Sequence, residues 1–475
     1  MPRRVAFLMM LATAPAGAQA SWTDSTTRWV DSIFAPYNSR QSPGCAVAVS
    51  QNGVVRFAKG YGMADLEHDT PITPDSRFYI ASVSKQFTAM SIVLLDQEHR
   101  LSLDDSIQKW VPEVPSFGMT ITLRHLLHHT SGLRDYFTLL ALSGWPSDGH
   151  LTEQQFLALV GRQRSLNFVP GNEFLYSNTG YVLLSIVVKR ASGQSLRDFA
   201  AARIFNPLGM HDTEYRDDHN ALVPGRALGY EPSGTTFRIS QPESDVVGDG
   251  GVYSTVEDLA RWESNFISHR IGGAAGVAVL QAQGHLNDGQ PIPYALALTI
   301  GRFHALRTLS HSGSYGGYQS ALLRFPDRAL SVVTLCNTSA ASSTLAEQVS
   351  SVVLALASQR PAVTSIDLSR GLELAGNGRD PADTAGLRVS IDQLAPLAGN
   401  YYSDELDMPV TVVARSGVLV VERPRATDLR FVPFATDLFK NSDKMLLRIV
   451  RGEGGKVKGF TLTLNRVRDL EFVRN

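Results

Sequence analysis

The sequence predicts an α/β (α+β) protein: one antiparallel sheet, closed by the two ends of its domain, carries a helical middle section, and a small all-β barrel or sandwich follows. Three observations carry this. Strand-like apolar runs stand on either side of a long helical stretch, an Asn-Gly pair between two of those runs marks a hairpin, and beyond Leu394 the pattern changes to short alternating runs separated by turn residues.

At 475 residues the chain has room for two or three domains. Its first twenty residues, MPRRVAFLMMLATAPAGAQA, run from two arginines through an apolar stretch to small residues. This is the grammar of a signal peptide over residues 1–20, cleaved before Ser21, and it predicts an exported protein, periplasmic or secreted. The apolar stretch is too short to span a bilayer, and no later segment approaches that length, so no integral membrane segment is expected after cleavage.

Ser21 to Tyr37 reads as an amphipathic helix with Trp22, Trp29, Val30 and Ile33 available for one face. GCAVAVSQNGVVRFAKGYG then gives two strands around Gln51, Asn52 and Gly53. Helical patterns broken by Pro- and Gly-rich loops fill the middle. Strands return in YALALTIGRF, LSHSGSYGGYQSALLRF and ALSVVTLCN, and a helix from about Ser342 to Ser358 ends a domain spanning 21–359. A polar stretch broken by Gly and Pro, 360–392, reads as a linker. In 393–475 the runs GNYYS, MPVTVVAR, GVLVVER, LRFVPF, MLLRIVR, VKGFTLTL and VRDLEFVR predict the small antiparallel barrel.

Lys plus Arg (44) nearly balances Asp plus Glu (45), so no basic field draws nucleic acid or an anionic membrane, and a small molecule or short peptide is the expected partner. Cys45 and Cys336 are the two cysteines, which excludes a disulfide framework and a multi-cysteine zinc site. Each lies in a strand-like run, where a buried free thiol is the commoner state, although an exported protein can join them.

The chemistry centres on YIASVSKQFTAM. Ser82 and Lys85 form S-x-x-K, and Val83, Phe87, Met90 and Leu94 recur at i, i+4, i+7 and i+11, which predicts a buried helix beginning at Ser82. Residues three apart share a face, so the amine can reach the hydroxyl, and burial would make it a better proton acceptor. A plain serine N-cap fits the same pattern. A second S-x-x-K, Ser106 to Lys109, lies in an acidic, Pro-terminated segment and reads as a surface turn.

FVPGNEFLYSNTGYVLL holds Tyr176 and Asn178, two apart in an extended loop and so facing one side. LSHSGSYGGYQSALL places His311, Ser312, Gly313 and Ser314 on a strand before a Gly-Gly turn, where small residues admit a substrate to the backbone. Each has a purely structural reading, a turn in one case and a hairpin strand in the other. His125, His128 and His129 have spacing able to ligate zinc, but with no H-E-x-x-H and no evident carboxylate ligand they read as a helix end near Gly132. No metal and no cofactor is expected.

Together S-x-x-K, Y-x-N and H-x-G, in this order and at wide spacing, resemble the serine β-lactamase and penicillin-binding-protein superfamily, and within it the class C-related branch. ITLRHLLHHTSGL, PGNEFLYSNTGYVLL and GDGGVYSTVEDLARW extend the likeness over roughly Trp22 to Ala357. LAGNYYSDELDMPVTVV resembles the small β-barrel appended to D-aminopeptidase-like relatives.

The resemblance implies a β-lactamase/transpeptidase-like domain with a five-stranded antiparallel sheet and a helical subdomain. It implies Ser82 as nucleophile, Lys85 as its base and Tyr176 as proton shuttle. Asn178 would hold Lys85 and the substrate amide, His311, Ser312, Gly313 and Ser314 would line the substrate strand, and the N–H groups of Ser82 and Ser314 would form the oxyanion hole. The family's sheet order would also make Cys45 and Cys336 neighbours. Histidine in place of lysine at 311 is only partly charged near neutral pH, which moves the expectation from β-lactams toward D-residue peptides, other amides or esters. The expected activity is an exported serine hydrolase of D-aminopeptidase or DD-carboxypeptidase type. A carboxylesterase of the same fold, a β-lactamase and a catalytically silent peptidoglycan-fragment sensor are the alternatives. The absence of a G-x-S-x-G elbow disfavours an α/β-hydrolase.

Overall fold

The computed structural model describes residues 22–146, 149–340, 342–354, 390–424 and 426–475. The predicted signal peptide, most of the predicted linker and the last turn of the helix expected to reach Ser358 lie outside these residues.

The first helix, α1 (Asp24–Phe34), is capped by the Thr23 side chain and buries Val30 and Phe34, while Trp29 stays in solvent. β1 (Cys45–Gln51) and β2 (Val54–Tyr61) form the expected hairpin, with Asn52 and Gly53 both at positive φ (54° and 76°), the two-residue turn that matches strand twist. After the helical section come β3 (Thr299–Phe303), β4 (Leu306–Tyr315), β5 (Tyr318–Phe325) and β6 (Leu330–Cys336). The sheet order is β3-β4-β5-β6-β1-β2, antiparallel throughout the pairs, so the two ends of the domain meet at β6 and β1. It has six strands, one more than the resemblance implies.

In β1 the alternation decides the layers. Cys45, Val47 and Val49 join α1 and a C-terminal helix (Ser342–Val353) in one core, whereas the small Ala46 and Ala48 face the larger helical core. With both faces covered the strand reads as an unbroken apolar run. Cys45 and Cys336 sit directly opposite each other across β1 and β6 and form a disulfide, so the free-thiol reading of each cysteine is corrected.

Two buried helices carry the site. One, α2 (Lys85–Gln97), is buried from Lys85 to Leu95; beside it runs α3 (Asn178–Ser192).

The C-terminal part is a closed barrel of eight strands: β7 (Gly399–Ser403), β8 (Met408–Arg415), β9 (Val418–Glu422), β10 (Leu429–Ala435), β11 (Leu438–Lys440), β12 (Leu446–Arg451), β13 (Val457–Leu464) and β14 (Val467–Arg474). Tyr401, Leu419, Phe431, Phe460 and Phe472 fill it. It docks on the catalytic domain through a buried pair: Arg134 Nη1 donates to Glu405 at 2.9 and 3.0 Å, and Nη2 to Arg468 O at 2.9 Å.

Candidate active site

A cavity of about 1090 Å³ opens where β4 passes the start of α2. The chain enters it as a short strand, Phe78–Tyr79, paired with Val252–Ser254. Ala81 then adopts a left-handed φ of 46°, a conformation that costs a residue with a side chain on the order of 1 kcal/mol, and turns the chain into a 3₁₀ segment, Ala81–Ser84. The helix expected to begin at Ser82 therefore begins at Lys85. The sharp reversal at Ala81 is the reason, and the tighter turn still sets the lysine beside the serine.

Lys85 Nζ lies 3.0 Å from Ser82 Oγ, 2.8 Å from Asn178 Oδ1 and 2.6 Å from the carbonyl of Asp249. It is fully buried. Burial pushes its pKa from 10.5 down to about 7, against the pull of Asp249 and Asp135 and with a push from Arg466. Burial raises the Asp249 carboxyl above its usual range, and its Oδ2 accepts from Tyr136.

Asn178 opens α3. Its backbone N–H and its Nδ2 both donate to Asp135 Oδ2 (2.8 and 3.0 Å), which fixes the amide so that Oδ1 faces the lysine. Tyr176 comes in on the extended loop before it. Its hydroxyl is buried with no hydrogen-bond partner among the described residues, and the Ser82 side chain and the Arg466, Asp249 and Asp135 charges act on it. Burial holds the phenol well above its usual range, so it stays protonated. The His129 ring packs on the Tyr176 ring with centroids 4.0 Å apart.

On β4, Gly313 makes the closest approach. A Cβ there would fall 2.5 Å from Ile80 O and 2.8 Å from Ser82 N, so only glycine lets the strand lie against the nucleophile turn. Ser320 Oγ donates to Ile80 O at 2.7 Å and fastens the two together, leaving Ser312 and Ser314 on the cavity wall. His311 Nδ1 donates to Ser312 O (2.7 Å), and its Nε2 accepts from Tyr294 (2.9 Å). Burial, then the nearby lysine, pushes its pKa down to about 3. The partial charge expected at this position is thus corrected to none.

All the residues singled out from the three motifs converge here. Ser106 does not: it caps a four-residue surface helix, with Lys109 paired to Asp105. The three-histidine stretch is a helix end, though the helix stops at Leu127, and His129 turns inward to meet Ser177. Asp135, Asp249 and Arg466 do not stand out in the sequence, and His129 stands out there only as part of a helix end. Asp135 is an N-cap and Arg466 sits in a hairpin turn, both common uses that give no signal of their own.

A serine bonded to a buried, proton-poor lysine, on a sheet-and-helix frame of this topology, defines the serine hydrolases of the β-lactamase/transpeptidase-like fold. Comparison with known proteins gives the same class: the chain belongs to the β-lactamase family, whose model matches residues 30–354. It is 30% identical over 325 residues to penicillin-binding protein 4* of Bacillus subtilis (strain 168), covering 65% of this chain and 71% of that one. It is 30% identical over 314 residues to a D-aminopeptidase of Gluconobacter oxydans (strain 621H), covering 66% of this chain but 59% of that protein, less than two thirds of its length. The solved octameric penicillin-binding protein homologue from Pyrococcus abyssi shares the fold, with a TM-score of 0.59 at 24% identity over 95% of this chain and 99% of that one.

Proposed function

We propose that the protein is an exported hydrolase of peptides or amides containing D-residues, acting through an acyl-enzyme on Ser82. One observation carries the reading: the Lys85 amine, 3.0 Å from the Ser82 hydroxyl, is held near pKa 7, so about half of it is free to accept a proton at neutral pH. As Ser82 Oγ bonds to the carbonyl carbon, its proton passes to Lys85. The N–H groups of Ser82 and Ser314 receive the developing oxyanion. Tyr176, neutral and facing Ser82, relays a proton to the leaving nitrogen as the C–N bond breaks, and Lys85 replaces it. Water then attacks the ester, with Lys85 again as base, and frees Ser82.

The D-residue assignment rests on the likeness to D-aminopeptidases and to a penicillin-binding protein. Export rests on the first twenty residues and is compatible with a disulfide; among the described residues no helix is long and apolar enough to cross a membrane. The test is a rate comparison on D-alanyl peptides, their L counterparts, p-nitrophenyl esters and nitrocefin, for the wild type and Ser82→Ala. D-peptide cleavage lost in Ser82→Ala supports the reading. Cleavage confined to esters, or to nitrocefin, replaces it with the esterase or β-lactamase alternative, and binding without turnover with the sensor.

A further inference from the structure

His311 is uncharged, so the stretch of β4 that lines the cavity, His311 to Tyr315, offers it no cation, yet the cavity contains one. Among the described residues that line it, Arg466 alone is an arginine or lysine. It belongs to the barrel and reaches the site from the turn between β13 and β14. That turn is pinned by its backbone: Arg466 O accepts from Asn167 Nδ2 (2.9 Å) and from Asp135 N (3.3 Å), and Arg468 N donates to Asn167 Oδ1 (2.8 Å). The guanidinium rests 4.7 Å from the centre of the Tyr176 ring. It is 3.8 Å from Asp135 Oδ2, beyond hydrogen-bond length, and that oxygen already accepts twice from Asn178. Among the described residues the guanidinium donates no hydrogen bond. A planar fork of five N–H donors, aimed into a cavity with its donors unspent, is a receptor for a carboxylate.

We propose that Arg466 binds a carboxylate on the leaving-group side of the scissile bond, so that the favoured substrates release an amino acid with a free α-carboxylate. The side follows from Tyr176, on whose ring the guanidinium lies and whose hydroxyl hands the proton to the departing nitrogen. This rests on the acyl-enzyme reading. It makes the barrel part of the substrate site and points to carboxypeptidase rather than aminopeptidase action.

The test uses the full mature chain. N-acetyl-D-alanyl-D-alanine and its C-terminal amide, which differ only in the carboxylate, are compared as competitors of p-nitrophenyl ester hydrolysis, with calorimetric titration of the same pair alongside. The acid is expected to bind at least about tenfold more tightly than the amide. Arg466→Gln should erase that ratio and Arg466→Lys keep part of it. The ratio is taken within each protein, so a changed ester rate cancels. Equal binding of acid and amide by the wild type overturns the proposal, as does a preference that survives Arg466→Gln. An Arg466-dependent gain from succinyl-D-alaninamide over the acetyl compound would overturn the side assigned. Absence of ester turnover would count against the hydrolase reading, while the calorimetric ratio still decides the carboxylate site.

Discussion

Asp249→Asn and Arg466→Gln are expected to move the acid limb of acylation in opposite directions. Lys85 must be neutral to take the Ser82 proton, so activity is lost as pH falls through the lysine's pKa in the folded protein. With that value brought from 10.5 to about 7, roughly three quarters of the lysine is neutral at pH 7.5, against about 0.1% of an ordinary one, a gain in base of close to a thousandfold. The Asp249 charge holds the value up and the Arg466 charge pushes it down. Removing the carboxylate should therefore lower the limb, by on the order of one unit for a charge this close, and removing the guanidinium should raise it. The assay is the pre-steady-state burst with a p-nitrophenyl ester from pH 5 to 10, which isolates acylation from deacylation. With Tyr176 held protonated and His311 neutral throughout, the wild-type profile should be flat from about pH 8 to 10. A burst rate climbing tenfold per unit up to pH 9, or a limb displaced the same way by both variants, would refute the assignment of Lys85 as base.

Gly313→Ala should leave the fold intact by circular dichroism yet cut the acylation rate by roughly 10²–10³, because its Cβ forces β4 off the Ser82 turn and withdraws oxyanion donors. Arg134→Ala, which strands Glu405 in the interior between the domains, should destabilise the protein by about 3–5 kcal/mol in denaturant titration. Arg415→Ala, at an exposed pair on the barrel, should cost no more than about 1 kcal/mol. N-terminal sequencing of protein recovered from the periplasm or medium should begin at Ser21; an intact Met1 on all of the recovered chain would contradict export through this segment.

The mixed α/β fold with a C-terminal barrel was legible because its signals are local. Alternation marks the barrel runs, and Asn52-Gly53 fixes its hairpin through backbone conformation alone. The fifth barrel strand, Leu438–Lys440, is three residues long and too short for a periodic signal, so it is absent from the seven runs the sequence shows. Ser82, Lys85, Tyr176 and Asn178 could be picked out because the chemistry demands specific spacings along the chain. The groups that tune them are brought in by tertiary structure. Asp135 is 43 residues from the Asn178 it orients, and Asp249 lies 164 from the lysine its carbonyl touches. Arg466 arrives from a different domain. The neutral state of His311 was equally out of reach, since it follows from burial beside Lys85 and not from the identity of the residue.

The central claim is that the Ser82 hydroxyl accepts the acyl group. Intact-mass spectrometry of the mature protein treated with a fluorophosphonate probe tests it most directly. One adduct is expected, mapped by peptide digestion to Ser82, absent from Ser82→Ala and undiminished in Ser106→Ala; no adduct on the wild type, or one that persists in Ser82→Ala, would contradict it.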